Sequence, residues 1–419
     1  MKLDTKKLFF PMVLVLLVIV VSELTLYLFT FVSPRIDWLL SSPWTSRDYP
    51  PTVPDERLIF RPNPAIPGHD RKGFRNPKVP TKAQIVALGD SQTYGTGVAA
   101  RDAWPRQLES MTGKTVYSMA YGTYGPTHSL ILWDEAVSLQ PNVVIEAFYA
   151  GNDLFDSFQH VYNWNQLPDL KSSEPQLQAS IRESERYEPI AKRVKNMFKM
   201  GIGAPNVVID DESTVVTRDG ISPWRFLSQN SKIYGLLRRA QYESFRLLRK
   251  LNSSTQKTWN REKSFAEAHP AFCQIFDNGQ FRTIFTSEYR FSALNLGDHR
   301  ITEGLNISLR AIKRMHQLAA ARNIRFLVVL VPTKETVFRE LWTHPSMSYR
   351  NLTENEERFR TITKDYFAHN GIEYLDALPV LQKQLALGNQ PYPESPDGHP
   401  NEHGHMAIAK LIASHLKSP

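Results

Sequence analysis

The chain has 419 residues, of which 42% are hydrophobic, so it can bury a large core in one elaborated domain or in two. Its formal net charge of +8 comes from basic residues scattered along the chain rather than massed in a stripe, which argues against a nucleic-acid-binding protein. Cys273 is the only cysteine, so neither an intrachain disulfide nor a cysteine-based metal site can form.

The N-terminal region predicts a membrane anchor. Residues 8–32 are almost wholly apolar and long enough to span a bilayer. Lys2, Lys6 and Lys7 precede this stretch, which predicts a cytoplasmic N-terminus and export of the rest. The stretch is too long for the apolar part of a cleaved signal peptide, so we expect a retained single-pass helix. Because a carboxylate inside a membrane is costly, we expect Glu23 to be protonated, paired with a partner helix or close to the interface.

Residues 1–33 are therefore predicted to form a cytoplasmic tip and a membrane anchor, and residues 34–80 are predicted to form a stalk. The stalk holds ten of the 28 prolines, a composition typical of stiff, extended segments. It ends in Gly73–Asn76, which we expect to pack against the edge of the following domain.

The rest of the chain alternates between strand and helix patterns. Apolar runs predict strands at 83–88, 115–120 and 143–149, with helices near 103–111 and 127–140. The alternation resumes with a helical face over 305–319, a strand at 326–331, a helix near 353–369, a strand at 372–376 and a final helix over 402–416. This rhythm predicts an α/β fold with a parallel sheet and helices on both faces.

The two alternating regions, 81–156 and 301–419, are predicted to be halves of one domain, and residues 157–300 an insertion between them. The insertion is predicted to be mainly helical, with basic amphipathic stretches near 178–200 and 232–251. These helices could cap a site, meet the membrane surface, bind a partner or simply pack as a subdomain.

Polar triplets follow two of the predicted strands. Gly89-Asp90-Ser91 follows the first and Gly151-Asn152-Asp153 follows the third, where ligands bind in parallel sheets. Near the C-terminus lies Asp397-Gly398-His399-Pro400-Asn401. An aspartate two residues before a histidine can accept from one ring nitrogen while the other nitrogen takes the proton of a serine. The chain thus contains the three parts of a serine nucleophile system.

These segments, in this order, resemble the sequence blocks of the SGNH (GDSL) hydrolase superfamily, which carry Ser, Gly, Asn and His. The resemblance covers residues 81–155 and 301–419. It implies a three-layer α/β/α sandwich with a flavodoxin-like parallel sheet. It also implies that Ser91 is the nucleophile, His399 the base and Asp397 its orienting carboxylate, with Asn152 as an oxyanion donor.

The second block departs from the family pattern. Ser118 stands where asparagine is common, and an ungapped match places Thr123 at the position of the family's oxyanion glycine. A one-residue shift would give that role to Gly122. Two further residues at the strand ends, Asp90 and Lys334, are predicted to contact substrate.

The Asp-x-His form of the last block is similar to membrane-linked members that handle acetyl groups on exopolysaccharides. The resemblance implies an esterase or acyltransferase that acts outside the cytoplasm, in the periplasm if the source is Gram-negative, and needs no cofactor or metal. Its partners would be a carbohydrate or acyl-ester substrate, the membrane through residues 8–32, and polysaccharide-assembly proteins, with no nucleic acid.

Two other hypotheses stay open. His399, His403 and His405 form a His-x3-His-x-His pattern that could hold zinc in a metal-dependent hydrolase, although no second carboxylate-rich cluster accompanies it. Alternatively, the chain could be a non-catalytic interaction protein of a polysaccharide-assembly system built on an SGNH fold. The altered second block favours that hypothesis, and the intact Ser91 and Asn152 argue against it.

Overall fold

The computed structural model describes residues 5–32, 51–66, 68–202, 230–252 and 255–417, together with positions 36, 40 and 227. The strands are β1 (Thr52–Asp55), β2 (Ile59–Pro62), β3 (Ile85–Gly89), β4 (Val116–Ala120), β5 (Val143–Tyr149), β6 (Gln274–Asp277), β7 (Arg282–Phe285), β8 (Arg325–Val331) and β9 (Glu373–Asp376).

The α-helices are α1 (Thr5–Thr30), α2 (Ser91–Tyr94), α3 (Trp104–Thr112), α4 (Pro126–Ile131), α5 (Trp133–Val137), α6 (Asp153–Phe158), α7 (Pro175–Tyr187), α8 (Ile190–Ile202), α9 (Lys232–Asn252), α10 (Thr255–Ala268), α11 (Ser287–Leu294), α12 (His299–Ala320), α13 (Lys334–Val337), α14 (Met347–His369), α15 (Leu378–Ala386) and α16 (Glu402–Lys417). The chain divides into two compact units. The first comprises residues 1–53, 65–67 and 209–257, and the second comprises 54–64, 68–208 and 258–419.

The second unit is built on a parallel sheet whose strands lie in the order β4-β3-β5-β8-β9. Counted along the chain within this sheet, the order is 2-1-3-4-5, which is the flavodoxin-like arrangement. The predicted α/β fold with a flavodoxin-like parallel sheet is therefore confirmed. All five strands point their carboxyl ends to the same edge of the sheet.

Side-chain alternation along the central strands produces two cores, one on each face of the sheet. In β5, Val144 and Phe148 enter one core, while Ile145 and Ala147 enter the other. Helices α4, α5, α6 and α12 supply the first core, and α3, α15 and α16 supply the second. Since both faces are covered, β5 and β8 have nearly continuous apolar sequences, which is why they could be predicted.

Some helix boundaries differ from the prediction. The helix predicted near 127–140 is divided at Leu132 into α4 and α5. Helix α14 begins at Met347 rather than near 353, because the Ser346 hydroxyl accepts from the Tyr349 N–H and caps its first turn. Helix α15 was not predicted; it has only nine residues, and the Asp376 carboxyl accepts from the N–H of its first residue.

The structure corrects the extended stalk. Strands β1 and β2 form a two-stranded sheet, and the Asp55 carboxyl accepts from the N–H groups of Arg57 and Leu58 in the intervening turn. Further along, Asn76 is buried, and its side chain exchanges hydrogen bonds with the main chain of Ser118 in β4. The expected packing of residues 73–76 at the sheet edge is thus observed, whereas most of the predicted stalk before residue 51 lies outside the described residues.

The predicted insertion contains the helices α7 to α10 and also an antiparallel hairpin, β6–β7, that was not predicted. Its strands are only four residues long, so their alternation gives a weak signal. The hairpin and α11 belong to the second unit, with the parallel sheet. Much of the insertion between residues 203 and 229 lies outside the described residues.

In the first unit, α1 contains an apolar stretch, Phe10–Thr30, with a mean hydropathy of 2.6, long enough to cross a membrane. The Glu23 carboxylate accepts hydrogen bonds from the Ser231 hydroxyl and the Ile233 N–H, both at 3.1 Å, and from the Lys232 N–H. Of the three situations considered for Glu23, pairing with another helix is therefore the one observed.

Glu146 is an acidic side chain in β5, the central strand of the sheet. It is fully buried, and this burial raises its pKa to about 8, with a further contribution from the charge of Asp90, against a smaller opposing effect of the nearby Ser129. The folded protein therefore binds this proton more tightly than the unfolded chain does. The resulting stabilisation is present below about pH 4.5 and is lost as the pH rises toward 8.

For Glu146→Gln we expect a free energy of unfolding that varies less between pH 5 and pH 8. The unmodified chain should lose up to about 3 kcal/mol over this window from Glu146, whereas an amide does not titrate. Urea unfolding of the detergent-solubilised full chain, followed by tryptophan fluorescence, measures this. Glu267→Gln, at an exposed position, is the control and should keep the original pH dependence. Equal slopes in all three proteins would contradict the expectation.

Candidate active site

Ser91 lies directly beyond the carboxyl end of β3, at the first position of α2. Asp90 caps this short helix: its carboxyl accepts from the Gln92 N–H at 2.9 Å, and one of its oxygens lies 3.3 Å from the Ser91 hydroxyl oxygen. Gly89 has φ +143°, and a Cβ there would meet the Thr93 hydroxyl oxygen at 2.6 Å. The strand-to-helix turn thus requires glycine, and it holds the Ser91 side chain half-exposed at the edge of the sheet.

His399 joins Ser91 to Asp397. Its Nε2 lies 2.9 Å from the Ser91 hydroxyl oxygen, and its Nδ1 lies 2.5 Å from a carboxyl oxygen of Asp397. Burial alone would raise the pKa of Asp397, but the hydrogen bonds and charge of His399 outweigh it and hold this pKa below its usual value. A carboxylate at this place favours the proton on Nδ1 and leaves Nε2 to accept the serine proton. The structure thus brings together the three residues predicted from sequence.

The loop that carries Asp397 is held by Lys334, which begins α13 after β8. Its fully buried ammonium group donates to the carbonyl oxygens of Asp397, Ser395 and Ile284 at 3.0, 2.9 and 2.6 Å, and to the Thr283 hydroxyl at 3.2 Å. Burial lowers the pKa of Lys334 to about 8. This placement corrects the expectation that Lys334 contacts substrate, because its donors are committed to the protein interior.

A second buried cation, Arg290 of α11, lies against the same loop. Its guanidinium lies 4.7 Å from the ring centroid of Tyr289 and 5.6 Å from that of Tyr149. A Cβ at Gly398 would lie 2.3 Å from an Arg290 nitrogen, so only glycine leaves room for this approach. Arg290 could not be predicted from the sequence, since an isolated arginine in the predicted insertion carries no motif that could have indicated it.

Asp90 is also buried rather than presented to a substrate. Burial raises its pKa to about 6, against the opposing effects of the hydrogen bond from Gln92 and the charge of His399. Its oxygens accept from the Gln92 N–H and lie beside the Ser91 hydroxyl, as described above. The structure therefore corrects the expected substrate contact and gives Asp90 the position of a helix cap behind the nucleophile.

Two candidate oxyanion donors follow the neighbouring strands. The Asn152 side-chain amide, after β5, donates one hydrogen to Asp156, which fixes the amide and leaves its second hydrogen for another acceptor. After β4, a Cβ at Gly122 would lie 4.0 Å from the Cβ of Ser91, so Gly122 is adjacent to the nucleophile. Thr123 is exposed and in the left-handed region at φ +66°.

The three histidines of the zinc hypothesis are not brought together. Both ring nitrogens of His399 are engaged by Asp397 and Ser91, and His403 is exposed on α16. His405 is buried, its Nδ1 accepts from the Trp104 N–H at 3.3 Å, and burial lowers its pKa to about 3. Among the described residues, no group of three His, Cys, Asp or Glu side chains could hold a metal ion.

The chain resembles the SGNH hydrolase superfamily. The resemblance lies in the order of the sheet and in the placement of Ser91, Asn152 and His399 around the carboxyl ends of its strands. No protein-family model and no curated protein matches the chain.

Solved structures that are similar to this chain include three bacterial proteins. A Desulfitobacterium hafniense protein named for the G-D-S-L family of lipolytic proteins is 12% identical, with 80% of this chain and 99% of that chain covered and a TM-score of 0.34. A GDSL-like lipase from Bacteroides thetaiotaomicron is 10% identical, with coverages of 80% and 87% and a TM-score of 0.32. A Bacteroides fragilis protein named as an acylhydrolase is 11% identical, with coverages of 80% and 89% and a TM-score of 0.32. Because these similarities are low, the roles of individual residues depend on the geometry of the site itself.

For Lys334→Met we expect kcat/KM for a small acetyl ester to fall by about 10- to 100-fold. The loop carbonyls lose their shared donor, and a displacement of the reacting groups by about 1 Å is enough for such a loss. Initial rates at pH 7 measure this. Lys410→Met replaces an exposed lysine and should leave the rate unchanged. A Lys334→Met protein with reduced stability but unchanged kcat/KM would contradict the expectation.

Proposed function

We propose that this chain is a membrane-anchored, extracytoplasmic serine esterase or O-acyltransferase that acts on small acyl esters of carbohydrate. The observation that carries the proposal is the continuous hydrogen-bonded series from Asp397 through His399 to the Ser91 hydroxyl, with distances of 2.5 and 2.9 Å. This arrangement can deprotonate a serine during attack on a carbonyl carbon.

In the proposed reaction, the Ser91 oxygen attacks the acyl carbon while its proton passes to Nε2 of His399. The negative charge that develops on the carbonyl oxygen is stabilised by the Asn152 amide, the Gly122 N–H and the Ser91 N–H, which the start of α2 leaves without an intrahelical acceptor. His399 then returns the proton to the departing alkoxide, and the acyl group remains on Ser91. Water or a sugar hydroxyl, deprotonated by His399, then attacks this ester; the bond to the Ser91 oxygen breaks, His399 returns the proton to that oxygen, and the acyl group is released.

The anchoring part of the proposal is supported by α1. The apolar stretch Phe10–Thr30 has the length of a membrane span, and its side chains are largely exposed rather than covered by the protein. The cluster Lys2, Lys6 and Lys7 before it supports a cytoplasmic N-terminus, with the residues after Thr30 outside the cytoplasm.

The carbohydrate part is supported by a row of half-buried aromatic rings that begins beside the nucleophile. The row consists of Tyr94, Tyr121, Phe60 and Trp164, with centroid separations of 5.5, 6.3 and 6.3 Å between successive rings. Tyr94 is one helical turn after Ser91. Amphipathic rings of this kind can stack on the C–H face of a sugar while their polar groups bind its hydroxyls, whereas a long acyl chain needs a deep apolar tunnel.

Substitutions in the series should separate catalysis from folding. Ser91→Ala should abolish turnover of p-nitrophenyl acetate without loss of stability, because a half-exposed hydroxyl contributes little packing. His399→Ala should be as severe, and Asp397→Asn milder, since it disturbs the orientation of the imidazole without removing the base. Rates and thermal unfolding are measured together. A Ser91→Ala protein with full activity would reject the proposal and favour the non-catalytic interaction protein or another nucleophile.

Substrate preference tests the carbohydrate part separately. Turnover of p-nitrophenyl acetate should exceed that of the octanoate and palmitate esters, and faster turnover of the long esters would indicate a lipase. With an acetylated oligosaccharide, Trp164→Ala should raise KM about 3- to 10-fold, the effect expected of one lost stacking contact, and leave p-nitrophenyl acetate turnover unchanged. Tyr187→Ala, at a surface position, is the control. Addition of an unacetylated oligosaccharide distinguishes transfer from hydrolysis.

A further inference from the structure

The outer half of α1 is covered along one stripe only. Ser22, Glu23, Leu26 and Thr30 are half-buried, while the residues between them are exposed. This spacing defines one face of a helix. Within the first unit, α9 begins at the Glu23 carboxylate, so the covered face is where α1 meets the start of α9.

Glu23 acts as a cap for α9 supplied from another helix. A helix leaves its first N–H groups without intrahelical acceptors and carries partial positive charge at that end, which a carboxylate satisfies best. Here the carboxylate receives the N–H groups of Lys232 and Ile233 and the Ser231 hydroxyl. In hydrocarbon these groups would otherwise each be left without a hydrogen-bond partner, which is strongly unfavourable.

The position of Glu23 along α1 indicates the depth of this contact. Glu23 precedes Thr30, the last residue of the apolar stretch, by seven residues, or about 10 Å of helix, in a span that matches the ~30 Å hydrocarbon layer. A contact at Glu23 therefore lies inside the layer and not at its surface, provided that α1 spans the bilayer.

The sequence of α9 fits that depth. After Lys232, residues 233–237 carry no charge, and Leu236 and Leu237 are 42% and 64% exposed. Arg238 and Arg239 follow at once. They are six and seven residues beyond Lys232, or about 10 Å along the helix, which is the distance from Glu23 to the outer boundary of the hydrocarbon.

We propose that the first turns of α9 are embedded in the outer leaflet, clamped to the anchor by Glu23. Leu236 and Leu237 contact phospholipid acyl chains, and the half-buried Arg238 lies at the level of the phosphates, where cationic side chains are favoured, while Arg239 is buried within the protein. This inference rests on the proposed anchoring of α1. It makes the attachment of the protein to the membrane a two-helix structure and gives the mid-membrane carboxylate a structural role.

Depth-dependent fluorescence quenching tests the proposal on the full chain, purified and reconstituted in phosphatidylcholine vesicles. Bimane attached to Leu237→Cys should be quenched several-fold more by acyl-chain spin-labelled lipid than by aqueous iodide. Tyr187→Cys, 92% exposed in the second unit, should show the reverse. The native Cys273 is buried, and burial raises the pKa of its thiol to about 11, so it should stay unlabelled.

A label at Leu16→Cys, within the apolar stretch of α1, separates the two proposals. If the Leu16 label is quenched by lipid and the Leu237 label by iodide, α1 is inserted and the embedded start of α9 is rejected. If lipid fails to quench the Leu16 label, the anchoring itself is rejected. A Leu237 label shielded from both quenchers would mean that protein covers this surface, which also overturns the lipid contact.

The role of the Glu23 carboxylate in holding α9 is tested by comparing Glu23→Leu with Glu23→Gln, each combined with the Leu237 label. Glu23→Leu removes every acceptor, so we expect the ratio of lipid to iodide quenching to fall at least threefold. Glu23→Gln keeps one acceptor oxygen and should retain most of the ratio. An unchanged ratio in Glu23→Leu would show that Glu23 does not hold α9 in the membrane.

Discussion

A buried ammonium group holds the candidate active site in place. Lys334 follows β8, and its donors connect the loop before His399 to strand β7. The orientation of His399 depends on Asp397, and the position of Asp397 depends on these main-chain hydrogen bonds. Because the carbonyl groups of a loop have no regular partners of their own, an internal donor determines where the loop lies. The proposed chemistry at Ser91 therefore depends on a residue that does not touch it.

Within the second unit, buried acidic and basic side chains surround the candidate active site. Asp90 is buried behind Ser91, and burial together with the charge of Asp90 raises the pKa of Asp153 well above its usual value. Arg290 and the imidazole of His399 oppose the effect of burial on Asp90. The site thus combines buried acids with cations, an environment in which pKa values differ from those in water and which is typical of functional sites.

The alternation of strands and helices along the chain could be predicted because each strand has a buried, apolar sequence and because parallel strands must be joined by helices. The residues Ser91, Asn152 and His399 could be named for a similar reason, since they follow strands or occupy a recognisable short segment. The β6–β7 hairpin and the turn at residues 52–62 could not be predicted. Their strands are too short for a periodic signal, and their stability comes from tertiary contacts such as that between Thr283 and Pro393.

By itself, the sequence determined the class of fold and the apolar helix at the N-terminus, and it named Ser91, His399 and Asp397 as the residues of the proposed nucleophile system, because these depend on local periodicity and on short motifs. Only the tertiary structure decided that Lys334 and Asp90 point inward, that Arg290 lies against Gly398, and that Glu23 caps α9. Those roles depend on which groups meet across long distances in the chain, where a buried charge takes whatever partner the packing provides.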